Sequence, residues 1–262
     1  MKRRVELIGV LRMVSECEDA CDFRYSCEKT FSDSITLLKW SEKRDLLAMA
    51  TESGQVLLHR FEKLERAWKF KSLDAFPNAK ITSLCWRADG RVICVAYAYT
   101  DDATNEESAF FKLLTEEGPV DLMEEIALPA RAMSLTWTES NYVHDIDTNL
   151  SFFPELSKIG KREQTHLDAL VDSNLNVLIV TLNTGEIAGY GYGVVPLFLY
   201  NTGANALDAV ISPKLDLIHV TCRSNDTDML VHMMVGTQKL TDYHAQIHRY
   251  VCFVITAQLW YG

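Results

Sequence analysis

His244 and His248 are four residues apart, a spacing that sets two imidazoles on one face of a helix, where a pair of histidines can hold a metal ion. A zinc hydrolase built on such a helix also needs a Glu between them as general base. Here the run is His244-Ala245-Gln246-Ile247-His248, so that base is missing and the pair reads as exposed helix histidines. Cys17, Cys21 and Cys27 cluster near the N-terminus, but their spacing forms no paired zinc-binding pattern, and no metal ligand set is assigned. Gly189-Tyr190-Gly191-Tyr192-Gly193 is glycine-rich, yet it lacks the Lys-Ser/Thr of a phosphate loop and opens no helix. It reads as a strand crossing a crowded position, where glycine lets another chain segment approach closely. No Gly-x-Ser-x-Gly elbow and no carboxylate pair suited to acid–base work stands out. The expectation is a protein that is not an enzyme, with no catalytic, cofactor-binding or metal-binding residues, no cofactor and no small-molecule substrate. Partner-binding residues stay unassigned.

The totals narrow the partners. The net charge of −10 over 262 residues argues against non-specific nucleic-acid binding, which needs Lys and Arg to neutralise phosphates. The charge is uneven. Residues 39–71 carry eight Lys/Arg against five Asp/Glu, and residues 101–125 carry nine Asp/Glu against Lys112 alone. These runs are either a solvated face and a solvated loop or docking surfaces for partners of opposite charge. Seven cysteines, an odd number without framework spacing, fit a reducing compartment, with Cys85 and Cys94 packing as small hydrophobes in strands. Met1-Lys2-Arg3-Arg4 precedes an apolar stretch, but Glu6 and Arg12 interrupt it and Glu16, Glu18 and Asp19 follow, unlike a signal peptide. No apolar run approaches the roughly 20 residues of a membrane span, so a soluble intracellular chain with no membrane contact is expected.

The elements that would position these residues are strands in a repeat. Ile35–Trp40 aligns without a gap on Ile81–Trp86, 46 residues later, and Leu46–Ala50 aligns on Val92–Ala96. That period is the length of one four-stranded propeller blade. Trp40, Trp86 and Trp137 recur at one blade position and are expected in the core, whereas Trp68, outside that register, is expected to be more exposed. The first blade reads as 35–40, 46–51, 55–61 and 67–70, with Glu52-Ser53-Gly54 as a tight hairpin. The second reads as 81–86, 92–99, 109–114 and 120–128, with Asp89-Gly90 as its first turn and 101–108 as a solvated acidic connection. A third start at 132–137 is followed by a long polar loop or insertion over 139–165. Strands then return at 167–171, 176–182, 186–192 and 195–200, and further strands follow at 206–211, 217–222 and 229–235.

Leu240, Tyr243, Ile247 and Tyr250 follow helical spacing, which predicts a helix after the strands. The organisation is therefore an irregular N-terminal segment over 1–30 containing one candidate strand at 5–14, β-propeller blades over 31–236, the start of a helical segment over 237–250, and a short tail over 251–262. The fold class is all-β, a WD-repeat-like β-propeller with about four to five blades present and a C-terminal helix. Closed propellers have roughly 4–8 blades.

Two stretches carry a more specific likeness. The first runs Trp40-Ser41-x-Lys43-Arg44-Asp45-Leu46-Leu47-Ala48-x-Ala50, then Gly54-x-Val56-Leu57-Leu58-His59-Arg60, then Arg66-x-Trp68-x-Phe70. The second is Ile81-Thr82-x-Leu84-x-Trp86-Arg87-x-Asp89-Gly90-Arg91. They resemble the first two blades of the anaphase-promoting complex subunit 4 family, clearly over residues 31–98 and faintly to about 250. The Gly-His and Trp-Asp dipeptides of standard WD repeats are absent. The resemblance implies a non-catalytic scaffold subunit of a multi-subunit ubiquitin ligase for mitotic progression. Its partners would be other large scaffold subunits of that complex, in nucleus and cytoplasm. It further implies that the chain is a C-terminally truncated form, a splice product or incomplete gene model, and an open propeller fragment. The alternatives are another WD-repeat adaptor, in trafficking or a different ligase, and a propeller enzyme with acidic or histidine residues converging on the central channel.

Overall fold

The computed structural model describes residues 4–5, 29–60, 65–71, 78–101, 105–121, 124–143, 174–224 and 229–261. These residues build four antiparallel sheets in chain order. The first comprises β3 (Ile35–Trp40), β4 (Leu46–Thr51), β5 (Gln55–Arg60) and β6 (Glu65–Lys71). The second comprises β7 (Lys80–Trp86), β8 (Val92–Thr100) and β9 (Glu107–Thr115). Its outer strand is split into β10 (Gly118–Asp121) and β11 (Ile126–Leu128), both paired to β9. The third comprises β12 (Ala132–Val143), β13 (Asn174–Leu182), β14 (Glu186–Gly191) and β15 (Val195–Asn201). The fourth comprises β16 (Asn205–Ile211), β17 (Leu217–Arg223) and β18 (Leu230–Gly236). A two-residue ladder joins β1 (Arg4–Val5) to β2 (Lys29–Thr30). Two helices follow the sheets, α1 (Gln238–Asp242) and α2 (His244–Tyr261).

Each large sheet is a meander of hairpins, and the first strands of successive sheets are neighbours: β7 packs on β3, β12 on β7 and β16 on β12. This is the arrangement of consecutive blades in a WD40-like domain. Among the described residues the blades number four, at the lower end of the expected four to five, and no extensive packing joins the first sheet to the fourth.

The second strand of a blade shows why the sheets must stack. All six residues of β4 are buried, as are the first seven of β8 and the last eight of β13. Strands apolar on both faces require cover on both faces. One core lies between the first two sheets and contains Ala48, Val56, Leu58, Trp86, Ile93 and Val95. A larger one runs through the second, third and fourth sheets and reaches α2 at Val251 and Ile255.

Glycines set the blade-to-blade distance. Gly54 and Gly185 occupy the same hairpin, between second and third strands, at φ 77° and 84°. A Cβ on Gly54 would stand 2.4 Å from the carbonyl oxygen of Ala79, and one on Gly185 would stand 2.2 Å from that of Ala204. Ala79 and Ala204 each lead directly into the first strand of the next blade. The left-handed turn and the close approach both exclude a side chain there.

Several expectations need correction. Trp86 and Trp137 are buried, but Trp40 is 41% exposed. The indole N–H of Trp86 donates to the carbonyl of Lys39 in the preceding four-stranded sheet at 3.1 Å, whereas Trp40 lies in the first such sheet, before which the described residues hold just the two-residue β1–β2 ladder. Trp68 is buried rather than exposed, because β6 packs against the next sheet and its indole N–H donates to the Glu116 carbonyl at 3.1 Å. The first part of the segment read as a loop over 139–165 continues β12 to Val143, and the strand expected at 167–171 lies outside the described residues. The helix does not give way to a tail at 251. It runs to Tyr261, because Val251 and Ile255, four residues apart, bury against the third sheet and extend the helical face. Of the strand expected at 5–14, Arg4–Val5 is described and the rest lies outside the described residues.

Candidate functional site

Among the described residues, the end faces of the row of blades are surfaces left open. On the first sheet, Trp40 stands opposite Leu47 and Leu38 opposite Met49. Leu47 and Met49 are buried in a small cluster with Phe31 and Leu57, on the face turned away from the second sheet. Leu38 and Trp40, on that same face, are exposed. On the fourth sheet, Ile211, Ile218, Val220 and Cys222 bury against the third. The opposite face presents two cross-strand rows, Val210–His219–Met234 and Asp208–Thr221–His232, flanked by the pair Arg223–Leu230. Val210, Met234 and Leu230 are exposed, the last two by about two thirds of their surface. Alternation along a strand normally turns apolar residues to one covered face, so apolar side chains on the uncovered face mark a contact surface.

The charge asymmetry is partly answered within the chain. Arg44, from the basic stretch, meets Glu116, from the acidic one, at 3.3 Å across the first two sheets. Lys112 is buried, with its ammonium 3.1 Å from Glu125 and 5.6 Å from the centre of the Phe70 ring. Asp89, in the Asp89-Gly90 turn, accepts from the buried Arg87 guanidinium at 2.9 and 2.6 Å. Burial pushes the Asp89 carboxyl up, but the hydrogen bond and charge of Arg87 outweigh it and hold the group below its ordinary value. The Asp-Gly turn was legible as a turn. That Arg87 would be its partner was not.

His244 and His248 share a helix face but meet different neighbours. His244 stacks on Tyr142, ring centres 3.9 Å apart and nearly parallel. His248 is buried, contrary to the expectation of exposed helix histidines, because α2 lies on the third sheet. Its ring sits edge-on to Tyr192 at 5.9 Å, with the Cys252 sulfur 3.9 Å from both ring nitrogens. Burial raises the Cys252 thiol to about 11, so it stays protonated near neutrality. The glycine run makes this docking possible. A Cβ on Gly191 would lie 2.8 Å from Val251, one on Gly189 would strike the Phe198 ring at 2.2 Å, and one on Gly193 would meet Trp137 at 2.8 Å. The crowding read from the sequence is therefore real. Among the described residues no three His, Cys, Asp or Glu side chains gather as a metal cluster, and no helix is long and apolar enough to cross a membrane. Cys85 and Cys94 are free, buried and directly opposite each other on β7 and β8. One pair was missed entirely: His219 and His232, 13 residues apart, meet only because β17 and β18 are neighbours.

Residues 38–105 match the family model described as the anaphase-promoting complex subunit 4 WD40 domain. The chain is similar to the anaphase-promoting complex subunit 4 of Mus musculus, 32% identical over 189 residues, covering 66% of this chain and 23% of that protein. It is equally similar to the subunit of the same name from Homo sapiens, 32% over 189 residues, covering 66% and 22%. The chain thus spans less than a quarter of the length of these relatives. A solved structure of the computationally designed Ika8 protein superposes on 77% of this chain and 48% of its own, with a TM-score of 0.44 and 9% identity. That similarity is too low to carry an argument.

Proposed function

We propose that this chain is a non-catalytic scaffold subunit of an anaphase-promoting complex, working by protein–protein binding within that ubiquitin ligase during mitotic progression. The observation that carries the reading is the coincidence of the family match over 38–105 with exposed apolar side chains on the end faces of the blade row, Leu38 and Trp40 at one end and Leu230 and Met234 at the other. A scaffold needs surfaces that bury apolar area against neighbours. The described residues offer such surfaces at both ends of the blade row. The partners would be other large subunits of the complex, and the protein would be found in nucleus and cytoplasm.

The test is recovery of a tagged full chain from dividing cells of the source organism, with quantitative mass spectrometry of what accompanies it. Subunits of the complex should be enriched, and a Leu38→Glu/Trp40→Glu or Leu230→Glu/Met234→Glu variant should lose them while keeping its circular dichroism. Recovery of trafficking proteins or subunits of another ligase instead would favour a different WD-repeat adaptor. Unchanged recovery from both variants would remove the end faces from the account.

A further inference from the structure

His219 on β17 and His232 on β18 lie on the uncovered face of the fourth sheet, offset by one step of the ladder: His219 pairs with Met234, and His232 pairs with Thr221. Their rings are inclined by 24° with centres 5.4 Å apart, and His219 Nδ1 stands 3.3 Å from His232 Nε2. We propose that this pair is a binding site for a divalent transition-metal ion of the zinc class, held by His219 Nδ1 and His232 Nε2, with water completing the shell. Zinc binds imidazole nitrogen at about 2.0–2.1 Å in a tetrahedral shell, which places two such nitrogens about 3.3–3.4 Å apart along one edge. The separation in the structure is already that edge. The two lone pairs must then converge on one point, with the ring protons on His219 Nε2 and His232 Nδ1. Both histidines project from adjacent strands of a hydrogen-bonded ladder, so the backbone needs no rearrangement to bring them together.

The surroundings suit an exchangeable site. Val210 and Met234 flank His219 in its row, and Thr221 and Asp208 continue the row of His232 across β17 and β16. Asp208 is the carboxylate on this face and Arg223 the guanidinium, one ladder step beyond Thr221. The competing account is a hydrogen bond between two neutral rings, in which one N–H occupies the gap.

Isothermal titration of the full chain with zinc chloride near neutral pH separates them. Wild type should show a site that His219→Ala and His232→Ala each weaken by at least roughly tenfold, the scale on which even outer-shell partners of a metal act. Zinc should also raise the melting temperature of wild type, but not of either variant, because a ligand bound to the folded state stabilises it. His244→Ala, whose ring stacks on Tyr142, should behave as wild type. The variants alter an exposed face, and circular dichroism verifies that they fold. Equal zinc affinity in wild type and both variants, or binding abolished by alkylating the cysteines and untouched by the histidine changes, would overturn the site and leave only the ring-to-ring hydrogen bond.

Discussion

Trp86 and Trp40 occupy one position of the repeat, and their substitution should give opposite results. Trp86 is 8% exposed, packed in the core shared by the first two sheets, and bonded through its indole N–H to the Lys39 carbonyl. Trp86→Ala removes the whole indole from a site walled by two sheets that cannot collapse freely, and should destabilise the fold by roughly 3–5 kcal/mol. The hydrogen bond is a minor part of that, roughly 0.5–1.5 kcal/mol. Trp86→Phe, which keeps most of the apolar bulk, should therefore lose only about 1–2 kcal/mol. Trp40, at 41% exposure, should lose no more than about 1 kcal/mol as Ala. In a domain of this size roughly 2–4 °C of melting temperature goes with each kcal/mol, so Trp86→Ala should melt about 6–20 °C lower. Urea unfolding followed by far-ultraviolet circular dichroism is the assay, since fluorescence changes with the tryptophan itself. If Trp40→Ala were as damaging as Trp86→Ala, or Trp86→Ala were indistinguishable from wild type, the assignment of the repeat position to blade-to-blade packing would be wrong.

Gly185→Ala should destabilise the chain by roughly 1–3 kcal/mol, measured in the same urea titration, because the new Cβ meets the Ala204 carbonyl and the left-handed φ disfavours it. Gly191→Leu should push Val251 and α2 off the third sheet, and amide exchange should then quicken in α2 while the β12–β15 ladder keeps its protection; an unchanged α2 would refute the docking. Asp89→Asn should lose roughly 1.5–3 kcal/mol near neutral pH through its bond to the buried Arg87. The Asp89 carboxyl is held below its ordinary value in the fold, so its stabilisation is complete above 3.8 and drains away as pH falls toward the lower folded value. The variant should therefore show a shallower fall of stability with acid than wild type, and parallel profiles would refute the pairing.

The sequence by itself determined what depends on chain-local pattern. The alternation and the apolar second strands at 46–51 and 92–99 specify β-structure covered on both faces, and the hairpin glycines mark where strands turn. The 46-residue register with its residue-level likeness pointed to the family whose WD40 model matches residues 38–105. The crowding around Gly189–Gly193 was legible too, because glycine in a strand implies close approach whatever the neighbour turns out to be. What only the tertiary structure decided is which neighbour, and on which side. Trp40 and Trp86 are equivalent in sequence, yet one is exposed and one buried, because burial of a blade residue depends on the next sheet and not on its own strand. Trp68 and His248 were read as exposed for the same reason: their cover comes from the second sheet and from beneath α2, which no local period encodes. The meeting of His219 with His232 belongs to this class. Two residues 13 positions apart come within 3.3 Å only because register places β17 beside β18, and a shift of one residue would send one ring to the opposite face.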